Sequence, residues 1–360
     1  MSTKKPAYLR LYEGIREEIV SGGYAFGTRL PSRRQIAHER GLSVMTVEHS
    51  MELLCQEGYA EARPRSGYYV IYREADSFVP ASTPVPAVRH GSMDTAESFP
   101  FSVMTRVMRR VMTEYGEEAI LRKSPNQGCD RLRVAIAHYL GRNRGIRVNS
   151  SQVMIGSGAE YLYGLVVEML GAERIYAMES PSYAKIAQVY QAKGVRCELL
   201  PLGADGIVSQ ALWSTDASVL HITPFRSFPS GVTASASKRR EYLRWAGQGD
   251  RYLVEDDFES EFSLLRKPED TVFALSDRGN VVYLNTFSRT ISPALRVGYM
   301  VLPEELIPVF EERVGFYSCT VPAFEQYVLA ELIDSGDFER HINRIRRSKR
   351  KHARQSSEES

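Results

Sequence analysis

Cysteine is scarce in this chain and scattered. Cys55, Cys129, Cys197 and Cys319 are the four among 360 residues. No CxxC pair or zinc spacing links them, which argues against a disulfide framework and a finger-type metal site and favours a reducing, cytosolic setting. The 7 histidines show no metal-ligand pattern, so no metal is expected. Long apolar runs are missing too. None approaches membrane-spanning length and the N-terminus has no apolar signal core, so a cytoplasmic protein without a membrane partner is expected. An excess of one charge is also absent: 46 basic residues against 44 acidic ones leave a net of +2. Any case for nucleic-acid binding must therefore rest on local features. No internal repeat is found.

What is present is ordinary soluble-protein material, 43% hydrophobic and 25% charged, in a chain long enough for two domains with real cores. Leu9, Leu11, Ile15 and Ile19 recur at helical spacing up to Gly22-Gly23. Ser32 supplies an N-cap for a second short helix, Arg33 to Glu39, and Gly41 makes a turn. Ser43 caps a third helix that carries Val47, Met51 and Leu54 inward and ends at Gly58. Tyr59 to Ala62 and Gly67 to Tyr72 then alternate as two strands joined by Arg63-Pro64-Arg65-Ser66. This order predicts a winged helix-turn-helix over residues 1–73. Its third helix would enter the major groove and its basic tip would reach the minor groove or the phosphates. A three-helix core with a decorative hairpin is the plainer reading.

Residues 74–97 are polar and contain Pro80, Pro84 and Pro86, which reads as a semi-extended linker. Helical patterns resume at Phe101 to Tyr115 and Leu132 to Leu140. Strands then alternate with helical stretches: Val153 to Ile155, Arg174 to Met178, Arg196 to Pro201, Val219 to Thr223, Arg251 to Glu255 and Val281 to Leu284. The expected fold class is therefore α/β, a mostly parallel sheet covered by helices, in a domain spanning 98–345. In such sheets ligands sit beyond the C-terminal strand ends. Three loops fall there. Ser157-Gly158-Ala159 opens a helix whose N–H groups suit a phosphate, although Gly-Ser-Gly turns are common. Tyr183, after Ser-Pro-Ser, serves either as a stacking platform or as core. Glu255-Asp256-Asp257-Phe258 puts carboxylates directly after a strand, one of them placed to hold a pyridinium nitrogen or to cap a helix.

The most informative stretch runs from Val281 to Tyr299, VVYLNTFSRTISPALRVGY. A β-branched and aromatic strand runs into a Ser-Arg-Thr turn, followed by Arg296 and Gly298. Hydroxyls, backbone N–H groups and guanidinium gathered at a strand end suit an anionic group. A solvated turn after a core strand is the alternative. This stretch resembles the cofactor-lysine segment of fold-type-I pyridoxal-phosphate aminotransferases, and best that of the aminotransferase-like half of MocR regulators in the GntR family. NQGCDRLRVAIAHYLGRNRGI, IGSGAEYL, ESPSY, ITPFRSFPSG and VEDDFESEF follow in family order, so the resemblance covers roughly residues 90–345. LYEGIREEIVSGGYAFGTRLPSRRQIA and GLSVMTVEHSMELLCQEGYAEARPRSGYYV are similar to GntR DNA-binding domains.

The resemblance implies a transcriptional regulator that binds double-stranded operator DNA as a head-to-tail homodimer. Arg34, Ser43, Met45, Thr46, Arg65, Ser66 and Gly67 would lie at the DNA. It also implies a pyridoxal-phosphate pocket. Ser157, Gly158, Ala159, Ser288 and Arg296 would meet phosphate, Tyr183 would stack on the ring, and Asp256 would face its nitrogen. Departures are informative. Val44 and Glu48 stand where relatives carry arginine. In the pocket, Phe258 replaces a tyrosine, Arg226-Ser227 replaces His-Gln, and Arg289 replaces the Schiff-base lysine. A guanidinium stays protonated and is no amine nucleophile. The catalytic set is therefore expected to be empty, and any pyridoxal phosphate or other phosphorylated effector to be held non-covalently. An active pyridoxal-phosphate aminotransferase is the competing reading, and a purely structural dimerisation partner a third. Phe324 to Arg344 matches the family's long helix. The basic run from Arg346 and the polar tail over 346–360 read as a solvated helix end, with the remaining C-terminal subdomain expected to be absent.

Overall fold

The computed structural model describes residues 5–73, 99–263 and 269–358, with side chains as far as His352. The chain forms two compact units, Met1–His90 and Gly91–Ser360. The linker expected over 74–97 lies outside the described residues.

The first unit contains α1 (Ala7–Val20), α2 (Arg33–Arg40), α3 (Val44–Gln56), β1 (Ala60–Arg63) and β2 (Gly67–Val70). The starts of α2 and α3 are set by side-chain caps. Ser32 Oγ accepts from the Gln35 backbone N–H at 3.2 Å, and Ser43 Oγ accepts from that of Thr46 at 3.1 Å. Such caps stabilise a helix by about 1 kcal/mol each. Between them Gly41 turns the chain in the left-handed region, φ 61°, where a Cβ would be strained. Val47, Met51 and Leu54 are fully buried and meet Leu11, Tyr12, Ile15 and Ile19 of α1. Complete burial of one such side chain contributes about 1.5–3 kcal/mol. The hairpin is antiparallel and pairs Ala60 with Val70 and Arg63 with Gly67. Its tip contains Arg65, itself left-handed at φ 63°.

The second unit is built on an eight-stranded sheet ordered β3-β10-β9-β8-β7-β4-β5-β6. The strands are β3 (Val153–Gly156), β4 (Ile175–Ser180), β5 (Arg196–Gly203), β6 (Gly206–Ile207), β7 (Val219–Ile222), β8 (Tyr252–Asp256), β9 (Val281–Thr286) and β10 (Gly298–Val301). β5, β4, β7, β8 and β9 run parallel to one another, whereas β10 is antiparallel to both β3 and β9 and β6 is antiparallel to β5. β3, β7, β9 and β10 are buried at every position, as strands covered on both faces must be.

On one face lie α4 (Phe101–Leu121), α5 (Asp130–Asn143) and α11 (Ala323–Asp334), sharing a core with Tyr283 and Tyr299. α6 (Ala159–Leu170), α7 (Ala184–Ala192) and α10 (Ile307–Arg313) share a second core with Met154, Met178 and Met300. α8 (Ser209–Ser214) and α9 (Ala236–Ala246) supply a third. α12 (Asp337–Glu358) closes the described chain.

Three helix expectations need correction. The first helix of this unit runs past Tyr115 to Leu121, with a break at Gly116, φ 69° and ψ 177°, where the backbone leaves helical geometry. The helix expected over Phe324 to Arg344 is two helices, parted at Ser335-Gly336, where Gly336 is left-handed at φ 74°. The basic run is not a tail but the middle of α12, and the Arg346 side chain is half-buried and donates to the Glu261 carbonyl. No helix among the described residues is long and apolar enough to cross a membrane.

Candidate functional sites: a strand-end cavity and a basic groove

Parallel strands put their carboxyl ends on one edge, and that edge carries a cavity of about 430 Å³. Ala159 and Glu160 beyond β3, Tyr183 beyond β4, Thr223 beyond β7, Asp256 and Phe258 at the end of β8, and Thr286, Ser288, Arg289 and Arg296 between β9 and β10 all line it. A larger cleft of about 760 Å³, between the end of α4 and the start of α5, lies away from the strand ends.

Asp256 is 4% exposed. Its Oδ2 accepts from the Tyr163 hydroxyl and lies 3.6 Å from His221 Nε2. Behind it, the Tyr190 hydroxyl and His221 Nδ1 are 2.7 Å apart. Asp256 Oδ1 and His221 Nε2 have no hydrogen-bond partner among the described residues. A buried carboxylate oxygen left unpaired is costly unless a donor arrives.

Gly158, left-handed at φ 90°, precedes α6. A Cβ there would stand 3.2 Å from Arg296 Nη2, so the guanidinium packs against bare backbone at the helix start. Arg296 Nη2 is bonded to Glu160 Oε2 at 2.8 Å, and Lys185 Nζ holds the other oxygen at 2.6 Å. Those cations lower the pKa of Glu160. Ser288 Oγ donates to the Leu295 carbonyl at 3.3 Å. Tyr183 is 39% exposed and meets Phe228 edge-on. Ser157 is half-buried in the turn before α6. The residues singled out in the sequence thus gather at one edge: Ala159, Tyr183, Asp256, Ser288 and Arg296 line the cavity, and Gly158, next to Ser157, packs against Arg296.

The departures from the family pattern are tied into the same wall. Arg289 Nη2 pairs with Glu259 Oε1 at 2.9 Å, and Arg226 Nε reaches Glu259 Oε2 at 3.3 Å. Ser227, 1% exposed, donates to Glu179 Oε2 at 2.6 Å, while the Thr223 N–H donates to Glu179 Oε1. Phe258 lines the cavity without offering a hydroxyl. Sequence reasoning missed Tyr163, His221, Glu160, Glu179 and Glu259. Tyr163 and His221 lie inside apolar runs that read as plain core. The acids are themselves letters of the quoted motifs, Glu160 in IGSGAEYL, Glu179 in ESPSY and Glu259 in VEDDFESEF, but nothing local tells which cation each one meets.

The first unit carries a basic groove. Arg29, Arg33, Arg63, Arg65, Ser66 and Gly67 line it between the start of α2 and the hairpin tip. Arg34, Ser43, Met45 and Arg65 are exposed, Met45 at 80%. Thr46 is half-buried and shares a hydrogen bond with Ser43. The Ser66 hydroxyl is bonded to Tyr69 at 2.7 Å, and Gly67 lies against Arg29. Arg63, expected to reach outward, is held by Glu61 and stacks over Tyr69. Glu48 is paired with Arg33, so the position that lost an arginine neutralises another. Arg29 went unremarked in the sequence because it precedes the helix signals, and Arg33 was read only as the start of the second helix.

A capped recognition helix with a basic wing, and a strand-end cavity in a mostly parallel sheet, define a two-domain regulator class: a DNA-binding module joined to a fold-type-I aminotransferase-like body. Comparison with known proteins agrees. Residues 7–70 match bacterial regulatory proteins of the gntR family, and residues 91–358 match aminotransferase class I and II. The HTH-type transcriptional regulator YdeL of Bacillus subtilis is 30% identical over 96% of this chain and 77% of its own length. The probable rhizopine catabolism regulatory protein MocR of Rhizobium meliloti is 28% identical over 95% of this chain and 74% of its own. The pyridoxine biosynthesis regulator PdxR of Corynebacterium glutamicum is 29% identical over 94% and 75%. Among solved structures, Pyrococcus horikoshii kynurenine aminotransferase in complex with PMP aligns with TM-score 0.63 and 27% identity over 69% of this chain and 64% of that one. Thermus thermophilus LysN, complexed with N-(5'-phosphopyridoxyl)-L-leucine, gives TM-score 0.63 and 27% identity over 71% and 66%. The chain belongs to the GntR family of regulators, in its MocR-type branch, and spans under two thirds of the kynurenine aminotransferase.

Burial gives this edge a pH signature. Glu179 is pushed up to about 7 by burial, against its bonds from Ser227 and Thr223. A carboxyl raised in the folded state holds its proton longer than in the unfolded state, so stability is lost as pH climbs from about 4.5 to about 7. Glu179→Gln should flatten that part of the stability–pH curve by about 3 kcal/mol at most. Denaturant unfolding of both proteins across pH 4.5–7.5 measures it, and parallel curves would contradict the assignment.

Proposed function

We propose that the chain regulates transcription as a DNA-binding homodimer whose aminotransferase-like unit senses pyridoxal phosphate, or a close phosphorylated pyridine, without a covalent bond. The observation that carries the ligand reading is the partnerless, buried Asp256 Oδ1 in the wall of the strand-end cavity. It is the acceptor a protonated ring nitrogen requires. Beside it, the bare backbone of Gly158 under Arg296 suits an anionic group at a helix start. Ser157, Ala159 and Ser288 would complete the phosphate's surroundings, and Tyr183 would cover the ring.

When bound, such a group supplies an electron-withdrawing ring and an aldehyde. The chain's own residues bind and orient it but offer no amine at position 289. Lys185, bonded to Glu160, and Lys238, bonded to the Ile207 carbonyl and Ser209, are engaged elsewhere. Occupancy, rather than turnover, is then the signal, coupled to operator affinity by linkage.

The wild-type protein should give no borohydride-fixed cofactor, whereas Arg289→Lys should gain a reducible yellow chromophore on adding pyridoxal phosphate. Absorbance scans before and after borohydride, followed by peptide mapping, decide this. A fixed cofactor at residue 289 of the wild type, or amino-acid turnover, would sustain the enzymatic reading instead.

For DNA, Arg34 on α2 and Arg65 on the wing are exposed cations facing no acidic partner among the described residues. Arg34→Ala and Arg65→Ala should each weaken operator binding by about 1–3 kcal/mol if they reach base edges. Fluorescence anisotropy on a selected operator measures this. Unchanged affinity at low salt for both variants would place the interface elsewhere.

The homodimer is supported by a stripe on α4, where Phe101, Met108 and Met112 are 82%, 38% and 63% exposed on the flank next to the buried Val107 and Val111. An apolar row of this kind marks an association surface. Sedimentation at micromolar concentration should give the mass of two chains, and a monomer would contradict the proposal.

A further inference from the structure

Glu259 is the one carboxylate of the cavity wall gripped by two guanidinium groups, and both grips come from positions that depart from the family pattern. Arg289 holds Oε1 through Nη2 at 2.9 Å and Nε at 3.1 Å. Arg226 holds Oε2 through Nε at 3.3 Å. The Glu259 side chain is 13% exposed, while each arginine is 47% exposed. The cations are therefore half exposed while their shared anion is mostly covered. Arg226 is also left-handed at φ 53°, an uncommon state for a residue with a side chain. Its turn is fixed by the Arg226 N–H donating to Thr233 Oγ1 at 3.1 Å and by the Ser227 N–H donating to the Val232 carbonyl at 2.8 Å. Strained backbone persists where its surroundings over-determine it, and here it carries a guanidinium to Glu259.

The pattern repeats on the other wall, where Glu160 sits between Arg296 and Lys185. Each cation with which a ligand anion would pair is thus already paired with a glutamate of the chain. Surface-type pairs of this sort contribute little to stability, but they set a threshold for ligands: an incoming anion must outcompete an internal one.

We propose that Arg226 and Arg289 form a carboxylate-binding fork for the effector, and that Glu259 is its built-in occupant, displaced when a carboxylate-bearing ligand enters. This rests on the reading of the cavity as a site for a phosphorylated pyridine, and refines it. The preferred ligand class is a phosphopyridoxyl compound that also bears a free carboxylate, as an amino-acid conjugate does. The position that carries no amine then serves recognition, since a planar guanidinium pair is suited to a carboxylate in a way that a lysine is not.

Two probes test it on the full-length protein: N-(5'-phosphopyridoxyl)-L-leucine, and the same compound lacking its carboxylate, N-(5'-phosphopyridoxyl)-3-methylbutylamine. Isothermal titration should show the wild type binding the first more tightly. In Glu259→Gln, which keeps the side chain's shape and removes its charge, affinity for the carboxylate probe should rise by about tenfold while the other probe is unaffected. Arg226→Gln and Arg289→Gln should each abolish the discrimination and leave binding of the carboxylate-free probe in place. Equal affinity of the two probes for the wild type, or a Glu259→Gln variant that loses both, would overturn the fork and leave the phosphopyridoxyl reading standing. Failure of every variant and the wild type to bind either probe would overturn both together.

Discussion

Parallel pairing is the constraint from which the larger unit follows. Two parallel neighbours cannot be joined by a tight turn, so each strand must return through a crossover long enough to hold a helix. β4, β5, β7, β8 and β9 all obey it. Segments as far apart as Gly158 and Arg296 are thereby delivered to one edge of the sheet. β10 breaks the rule usefully. Running antiparallel beside β9 and β3, it lets the chain turn back at the cavity and leaves Ser288, Arg289 and Arg296 within one return loop.

The loop after β8 depends on a second requirement, that buried acid be compensated. Asp257 is fully buried and bonded to Arg144 at 2.9 Å and to the Tyr283 hydroxyl at 2.8 Å. Glu255, which burial raises to about 7, accepts the N–H groups of Val272 and Phe273. Glu261 accepts from Asn285, and its carbonyl accepts from Arg346 of α12. Removing one partner of such a set leaves a stranded charge, which costs more than the intact pair contributes. Asp256 and Glu259 are therefore presented by a short segment pinned on either side. Their directions are imposed by the neighbours rather than by the cavity.

Much of this was legible in the sequence, for definable reasons. Strand-then-helix alternation is a local pattern, and the caps at Ser32 and Ser43 are local chemistry, so fold class and helix starts could be read directly. The motif segments located the cavity edge because the strand ends are marked by Gly, Ser and Pro. Pairing across the chain was not legible. Nothing in the spelling of the chain joins Arg289 to Glu259, or Arg226 to the same carboxylate. The break at Gly336 was marked locally by Asp334-Ser335-Gly336, a helix-stop signal that the surrounding apolar periodicity overrode in the reading, and there Gly336 is left-handed. Arg346 read as tail because a basic run usually is one, and its contact with Glu261 depends on how α12 docks.

A guanidinium where an amine would otherwise stand also changes what a regulator of this kind can remember. A cofactor joined through a covalent bond outlasts the conditions that delivered it, and its loss is timed by bond breaking. One held by ion pairs and hydrogen bonds leaves on the timescale of dissociation and tracks the present concentration. A guanidinium also keeps its charge across the physiological range, where a lysine's amine loses its own more readily on burial. On the proposed reading, the guanidinium at residue 289 favours a gauge over a ratchet.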